Sequence, residues 1–165
     1  MLKEILSKKK SSILEKWIKS IADDYPADAS KFLRLQKDRF SNPLGYTISS
    51  SAENIFNEIL NENNQVSIKA SLRDIIKVKA VQEFSPSQAI EFIFSLKKVV
   101  REELRQEITV EKVLKELMAF ESGIDDLALA AFDMYMEARE KIFQIRIKEI
   151  KAKILFNDAN GVPEE

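Results

Sequence analysis

Phe84-Ser85-Pro86-Ser87-Gln88-Ala89-Ile90-Glu91-Phe92-Ile93-Phe94 is the stretch around which the chain is organised. Ser85 is an N-cap residue, Pro86 suits the first helical position, and Gln88 follows the cap by three residues, as a capping box requires. Proline lacks an amide hydrogen, so it loses nothing where a helix leaves its first donors unpaired. Phe84 before the cap faces Ala89, which makes a weak hydrophobic staple. Beyond the cap, Ala89, Ile90, Phe92, Ile93, Phe94, Leu96, Val99 and Val100 leave almost no polar side. A helix apolar all round belongs inside a bundle. The reading is an all-α fold, a single bundle domain of about six or seven helices ending in a long C-terminal helix.

Composition agrees. A chain of 165 residues is long enough for one domain with its own core. Its 45% hydrophobic and 32% charged residues fit a globular helical protein, and 3 Gly and 4 Pro leave little punctuation between helices. The formal net charge of -1 supplies no global field for nucleic acid or acidic membranes. No apolar run approaches eighteen residues, so no membrane insertion is expected. The basic start, Met1 to Lys10, lacks a following apolar region and cleavage site, and the expected location is cytoplasmic.

The absence of Cys and His excludes the most. It removes thiolate nucleophiles, disulfides, iron–sulfur and zinc-ribbon ligation, a histidine base, a proximal haem ligand and the histidines of di-iron bundles. A carboxylate or lysine enzyme has no motif in its favour, so neither catalysis nor a cofactor or metal is expected.

Along the chain, a first helix is expected from Leu2 to Asp24, with Ile13, Leu14, Trp17, Ile18 and Ile21 as its apolar stripe. Lys8, Lys9 and Lys10 lie outside that stripe and read as a solvated face. Tyr25-Pro26 ends the helix. A second helix, Ala27 to Gln36, should bury Phe32 and Leu33. Asn42 as N-cap and Pro43 at the first position begin a third, reaching Asn61 and burying Ile48, Ala52, Ile55, Phe56, Ile59 and Leu60. Asp38 and Arg39 suit recognition of a charged ligand through the guanidinium fork. An internal pair or cap that fixes the turn is the preferred reading, with Asn42→Ala costing about 1 kcal/mol for the lost cap.

A polar linker, Asn61 to Gln65, precedes a fourth helix, Ser67 to Glu83, with Ile68, Leu72, Ile75, Ile76 and Val81 inward and Arg73, Lys77 and Lys79 interleaved. The central helix runs from Pro86 to Gln106. Its Lys97 and Arg101 share a face and read as partners in salt bridges rather than an anion site. Thr109 should cap a sixth helix to Glu121, and Ser122-Gly123 should break it, since Gly costs about 1 kcal/mol against Ala. A last helix from Asp125 or Asp126 to Phe156 would be about 48 Å long. Residues 1–156 form the expected domain and 157–165 a disordered tail. On the last helix Phe132, Met136, Phe143, Ile147, Ile150 and Ile154 form a seam of three- and four-residue steps, with Arg139 in its gap and Arg146 on its rim.

Several of these segments together resemble one family. They are Ile13-x-x-x-Trp17, Tyr25-Pro26, Phe32-Leu33, Asp38-Arg39-Phe40-x-Asn42-Pro43-x-Gly45 and Val81-Gln82-x-Phe84-Ser85-Pro86-Ser87-Gln88-Ala89. The chain resembles the N-terminal domain of RsbR-type co-antagonists, RsbRD-like branch, over roughly Leu2 to Lys153. The resemblance implies a helical sensory module of a stress-signalling complex, and pairing of that module in its assemblies. The STAS domain that follows in such co-antagonists has no room here, so their phosphorylation chemistry is not carried over. The expected function is therefore a non-catalytic regulatory or sensory module, working through a protein partner or self-association. Its interaction residues would be Arg139, Phe143, Arg146, Ile147, Ile150 and Ile154. Trp17, Asp38, Arg39, Asn42, Pro43, Gly45, Ser85, Pro86 and Gln88 would hold the fold. The alternative is a helical bundle that binds a small molecule in an apolar pocket, drawing on ten Phe, Trp17, Tyr46 and Tyr135. Nucleic acid is not an expected partner.

Overall fold

Helix starts written in the sequence set the frame. A computed structural model describes residues 1–35, 38–61 and 64–161, with α1 (Leu2–Ala22), α2 (Ala27–Leu35), α3 (Pro43–Asn61), α4 (Gln65–Val81), α5 (Pro86–Glu103), a 3-10 turn (Glu107–Thr109) and α6 (Glu111–Asn160). All regular structure among the described residues is helical. Gln36, positions 62 and 63 of the expected linker, and 162–165 of the expected tail lie outside the described residues.

At α5 the capping box forms as read: the Ser85 hydroxyl accepts from the Gln88 amide at 3.3 Å, and Gln88 Oε1 accepts from the Ser85 amide at 3.0 Å. Contacts run from α1 to α3, α3 to α4, α4 to α6, α6 to α5 and back to α1, with α2 on the α1–α3 seam. One core fills this ring. Trp17 is fully buried, stacks on Phe92 at 6.4 Å and donates its indole N–H to the Phe92 carbonyl at 2.7 Å. α5 touches α1, α4 and α6, yet Phe94 is 43% exposed, so one strip of this helix meets solvent.

Several expectations are corrected. Phe32 and Val81 are exposed, because Ser30 and Leu33 of α2, and Ile76, Lys79 and Ala80 of α4, hold the inward positions. α4 begins at Gln65 rather than Ser67, since the Asn64 side chain accepts from the amides of Val66 and Ser67. Thr109 caps no helix: its hydroxyl donates to the Gln106 carbonyl at 3.0 Å, and α6 starts behind Val110 with no side-chain cap. Gly123 does not break α6. Val113, Leu117, Ile124, Leu127, Ala128 and Ala131 keep one unbroken buried phase through it, and their packing outweighs the roughly 1 kcal/mol propensity cost of the glycine. The helix also runs past Phe156 to Asn160, with Gly161 at φ 62° as its left-handed terminus. Its 50 residues span about 75 Å.

Ion pairs tie the long helix to its neighbours. Arg101 grips Glu121 with both guanidinium and carboxylate forks, Nη2 to Oε2 being 2.7 Å, and Lys97 meets Asp125 at 2.8 Å. The expected salt-bridge face thus exists, with partners on α6. Glu103, unfavourable at the end of α5, is held below the usual carboxylate range by hydrogen bonds from Lys16 and Ser12.

Candidate interaction helix and its anchor

From Phe143 to Ala159 every residue of α6 is exposed, so this part of the helix has left the bundle. Phe143, Ile147, Ile150 and Ile154 are each half exposed, and Leu155 and Phe156 more so. Leu2 and Leu6 of α1 are buried in the core and leave this stripe uncovered, with the Leu2 amide donating to Glu116 Oε2 at 2.7 Å. Met136 and Phe143 continue the stripe towards the bundle, beside Arg139, whose guanidinium lies 5.3 Å from the Phe143 ring.

The root of this helix is pinned to the α4–α5 turn. The Tyr135 hydroxyl donates to the Phe84 carbonyl, Arg139 donates to the Ala80 carbonyl at 3.0 Å, and Arg146 pairs with Glu83 at 2.6 Å. Glu83 takes φ 61°, a left-handed conformation that costs a non-glycine residue about 1 kcal/mol or more. Its carboxyl is held below the ordinary range by the Arg146 hydrogen bond and charge. Arg139 and Arg146 therefore serve the anchor as well as bordering the stripe.

Beneath that turn lies a group that the sequence reading placed outward. Lys79 is fully buried, with Asp24 as its carboxylate partner at 2.8 Å and its ammonium 4.5 Å from the centre of the Phe84 ring. The rings of Tyr25 and Phe92 stand at 5.8 Å. Burial, then the Asp24 charge, pushes the Tyr25 phenol up to about 12, and it donates to Gln82 Oε1 at 2.7 Å. The signal was available in the spacing: Lys79 follows Ile75 by four and Ile76 by three, on the apolar face.

The remaining motif residues meet at the α2–α3 junction. Asn42 is buried; its Oδ1 accepts from the Gly45 amide at 2.9 Å, and its Nδ2 donates to the Phe32 carbonyl at 3.2 Å. Pro43 opens α3, and Gly45 is buried against Asn42 and the Leu33 carbonyl. Asp38 accepts from the Ser41 hydroxyl and amide, which hold its carboxyl below the usual range. The Arg39 side chain is exposed and bonds to no described residue. Asp38 makes a turn with Ser41, and no ion pair of Asp38 with Arg39 is present among the described residues.

With this arrangement in view, residues 11–150 match the RsbT co-antagonist protein RsbRD N-terminal domain. The chain belongs to that family. RsbRD N-terminal domains are regulatory or sensory signalling modules, and the match runs from the middle of α1 through α2, α3, α4 and α5 into the projecting part of α6. An uncharacterized protein of Archaeoglobus fulgidus is 30% identical over 110 residues, which cover 65% of this chain and 69% of that protein. No solved structure matches. Among the described residues no helix is long and apolar enough to cross a membrane.

Proposed function

We propose that this RsbRD-type domain is a non-catalytic sensory or regulatory module that acts through protein–protein contact, with the exposed stripe of α6 pairing with that of a second copy. The carrying observation is the half-exposed row Phe143, Ile147, Ile150 and Ile154 on a helix beyond the bundle. Steps of four, three and four fit a coiled-coil seam, and an exposed apolar stripe of this kind marks a partner site. Arg146 is paired with Glu83, but Lys148, Lys151 and Lys153 outnumber Glu149 and leave the flanks basic, so they oppose self-pairing by like-charge repulsion. Screening that repulsion strengthens association. Sedimentation at micromolar concentration is expected to show a dimer that tightens as salt rises, and Ile150→Asp is expected to give a folded monomer with little change in stability. A wild-type chain that stays monomeric at every salt concentration, and an Ile150→Asp variant that loses stability instead, would remove the interface.

A second reading rests on Gly123. It lines a pocket of about 490 Å³ with an apolar floor of Leu6, Ile59, Ile68, Phe120 and Leu127 and a polar rim of Lys3, Glu58, Gln65 and Glu116, and a Cβ built on it meets nothing within 4 Å. A helix interior glycine without a packing reason keeps this space open, as a site for a small apolar ligand requires. Gly123→Ala is expected to stabilise the fold by about 1 kcal/mol, because only the helix propensity changes. Gly123→Leu is expected to abolish any thermal shift produced by an apolar probe such as indole. A shift that survives Gly123→Leu would place the probe elsewhere.

A further inference from the structure

A groove of about 920 Å³ runs between α1 and α3, with Arg34 of α2 on its wall. Small side chains line it on both helices: Ser7 and Ser11 one turn apart on α1, and the adjacent Ser49 and Ser50 on α3. Lys8, Lys10, Lys19 and Arg34 line it against Glu15 and Glu53, a local excess of two positive charges on a chain whose formal net charge is -1. Lys10 and Glu53 neutralise each other at 3.0 Å, while Arg34 donates Nε to the Ser30 carbonyl at 3.4 Å and stands 4.0 Å from Asp23, which leaves much of its guanidinium open to the groove. The ammonium groups of Lys8 and Lys19, and the hydroxyls of Ser7, Ser11 and Ser49, bond to none of the described residues. Solvent-exposed cations and hydroxyls thus face one concavity whose apolar wall is Leu14, Ile18 and Tyr46.

The groove has two distinct ends. Asp23 lies one turn beyond Lys19 and beside Arg34, so Lys19 and Arg34 belong to one end, while the Lys10–Glu53 pair bridges α1 to α3 at the other. From Lys8 to Lys19 the helix rises about 16 Å, room enough for a molecule the size of a mononucleotide or a sugar phosphate. Phosphate is the anion that a guanidinium fork and an ammonium recognise together, and serine hydroxyls suit a hydroxylated body.

We propose that this groove binds a phosphorylated small molecule, with the phosphate between Lys19 and Arg34 and the body along the serines. The groove shares no residue with the α6 stripe, so this proposal and the dimer stand or fall separately. Titration calorimetry at low salt with inorganic phosphate, AMP and glucose 6-phosphate tests it and separates a nucleotide from a sugar source. At least one organic phosphate is expected to saturate one site per chain with a Kd of roughly 1 mM or tighter. Lys19→Ala with Arg34→Ala is expected to weaken it by roughly tenfold or more, and Glu15→Gln to tighten it. These side chains are exposed, so circular dichroism and the sedimentation profile of each variant should match the wild type. Absence of saturable binding by all three probes at about 10 mM, or an affinity unchanged in the double variant, overturns the assignment. Single-stranded RNA binding more tightly than AMP, and lost in the same variant, would overturn it in favour of a polymer.

Discussion

Asp24→Ala is expected to cost about 3 kcal/mol, and Lys79→Met, at the same ion pair, less than about 1 kcal/mol. The two residues are not equally exposed. Lys79 has no exposed surface, whereas the Asp24 side chain keeps 26%. Removing the carboxylate strands an ammonium that cannot reach water, and the surrounding rings repay only part of its lost hydration. A desolvated cation–π contact is worth up to about 2 kcal/mol, and among the three rings only Phe84 lies close, at 4.5 Å. Removing the ammonium instead leaves Asp24 able to hydrate, while a methionine of similar length keeps the cavity filled and places its thioether against Phe84 and Phe92. For a domain of this size, 3 kcal/mol corresponds to roughly 6–12 °C in Tm. Urea unfolding of both variants checks the order. A Lys79→Met variant less stable than Asp24→Ala would mean that the lysine holds this site by something other than charge balance. Because the α4–α5 turn lies above Lys79 and anchors Tyr135, Arg139 and Arg146, loosening it should also raise amide exchange at the root of the projecting helix.

What could be read from the sequence is what acts over three or four residues. Ser85, Pro86 and Gln88 announce α5, and Asn42 with Pro43 announces α3, because a cap is decided by its own turn. Trp17 shows itself by its phase with Ile13 and Ile21. The failures are local rules overruled from another helix. Thr109 looked like a cap and Gly123 like a break, yet the core phase from Val113 to Ala131 carries α6 straight through. Lys79 looked like surface because charge was read ahead of register. The stripe from Phe143 to Ile154 was legible as apolar, whereas its freedom from cover by Leu2 and Leu6 depended on where α1 packs. The Lys19–Arg34 groove was not legible at all. It joins residues of three helices, and Lys8 to Lys10 alone carry no more than a solvated basic face.

Gly45→Ala is expected to cost about 3 kcal/mol, far above the usual effect of that change in a helix, because it adds a methyl to a full site. An added Cβ would stand 2.2 Å from Asn42 Nδ2 and 2.8 Å from the Leu33 carbonyl oxygen. The carbonyl belongs to the last turn of α2 and cannot retreat without moving that helix, so the Asn42 side chain must leave. That side chain holds two helix ends at once, through the Gly45 amide at 2.9 Å and the Phe32 carbonyl at 3.2 Å. Losing the cap costs about 1 kcal/mol. The part-buried Phe32 carbonyl and the buried Leu33 carbonyl, 3.5 Å from Nδ2, lose their donor as well, which adds about 1–3 kcal/mol, so Asn42→Ala alone should cost about 3 kcal/mol rather than the value of a cap. Both single variants then destroy the same contact, and the double variant should fall short of their sum by about 1–2 kcal/mol, the coupling expected of touching residues. The residual cost is the approach to the Leu33 carbonyl, which Asn42→Ala does not relieve. Urea denaturation of the four proteins gives the coupling directly. Additivity within about 0.5 kcal/mol would show that Gly45 is required for the backbone of α2 alone, and not to make room for Asn42.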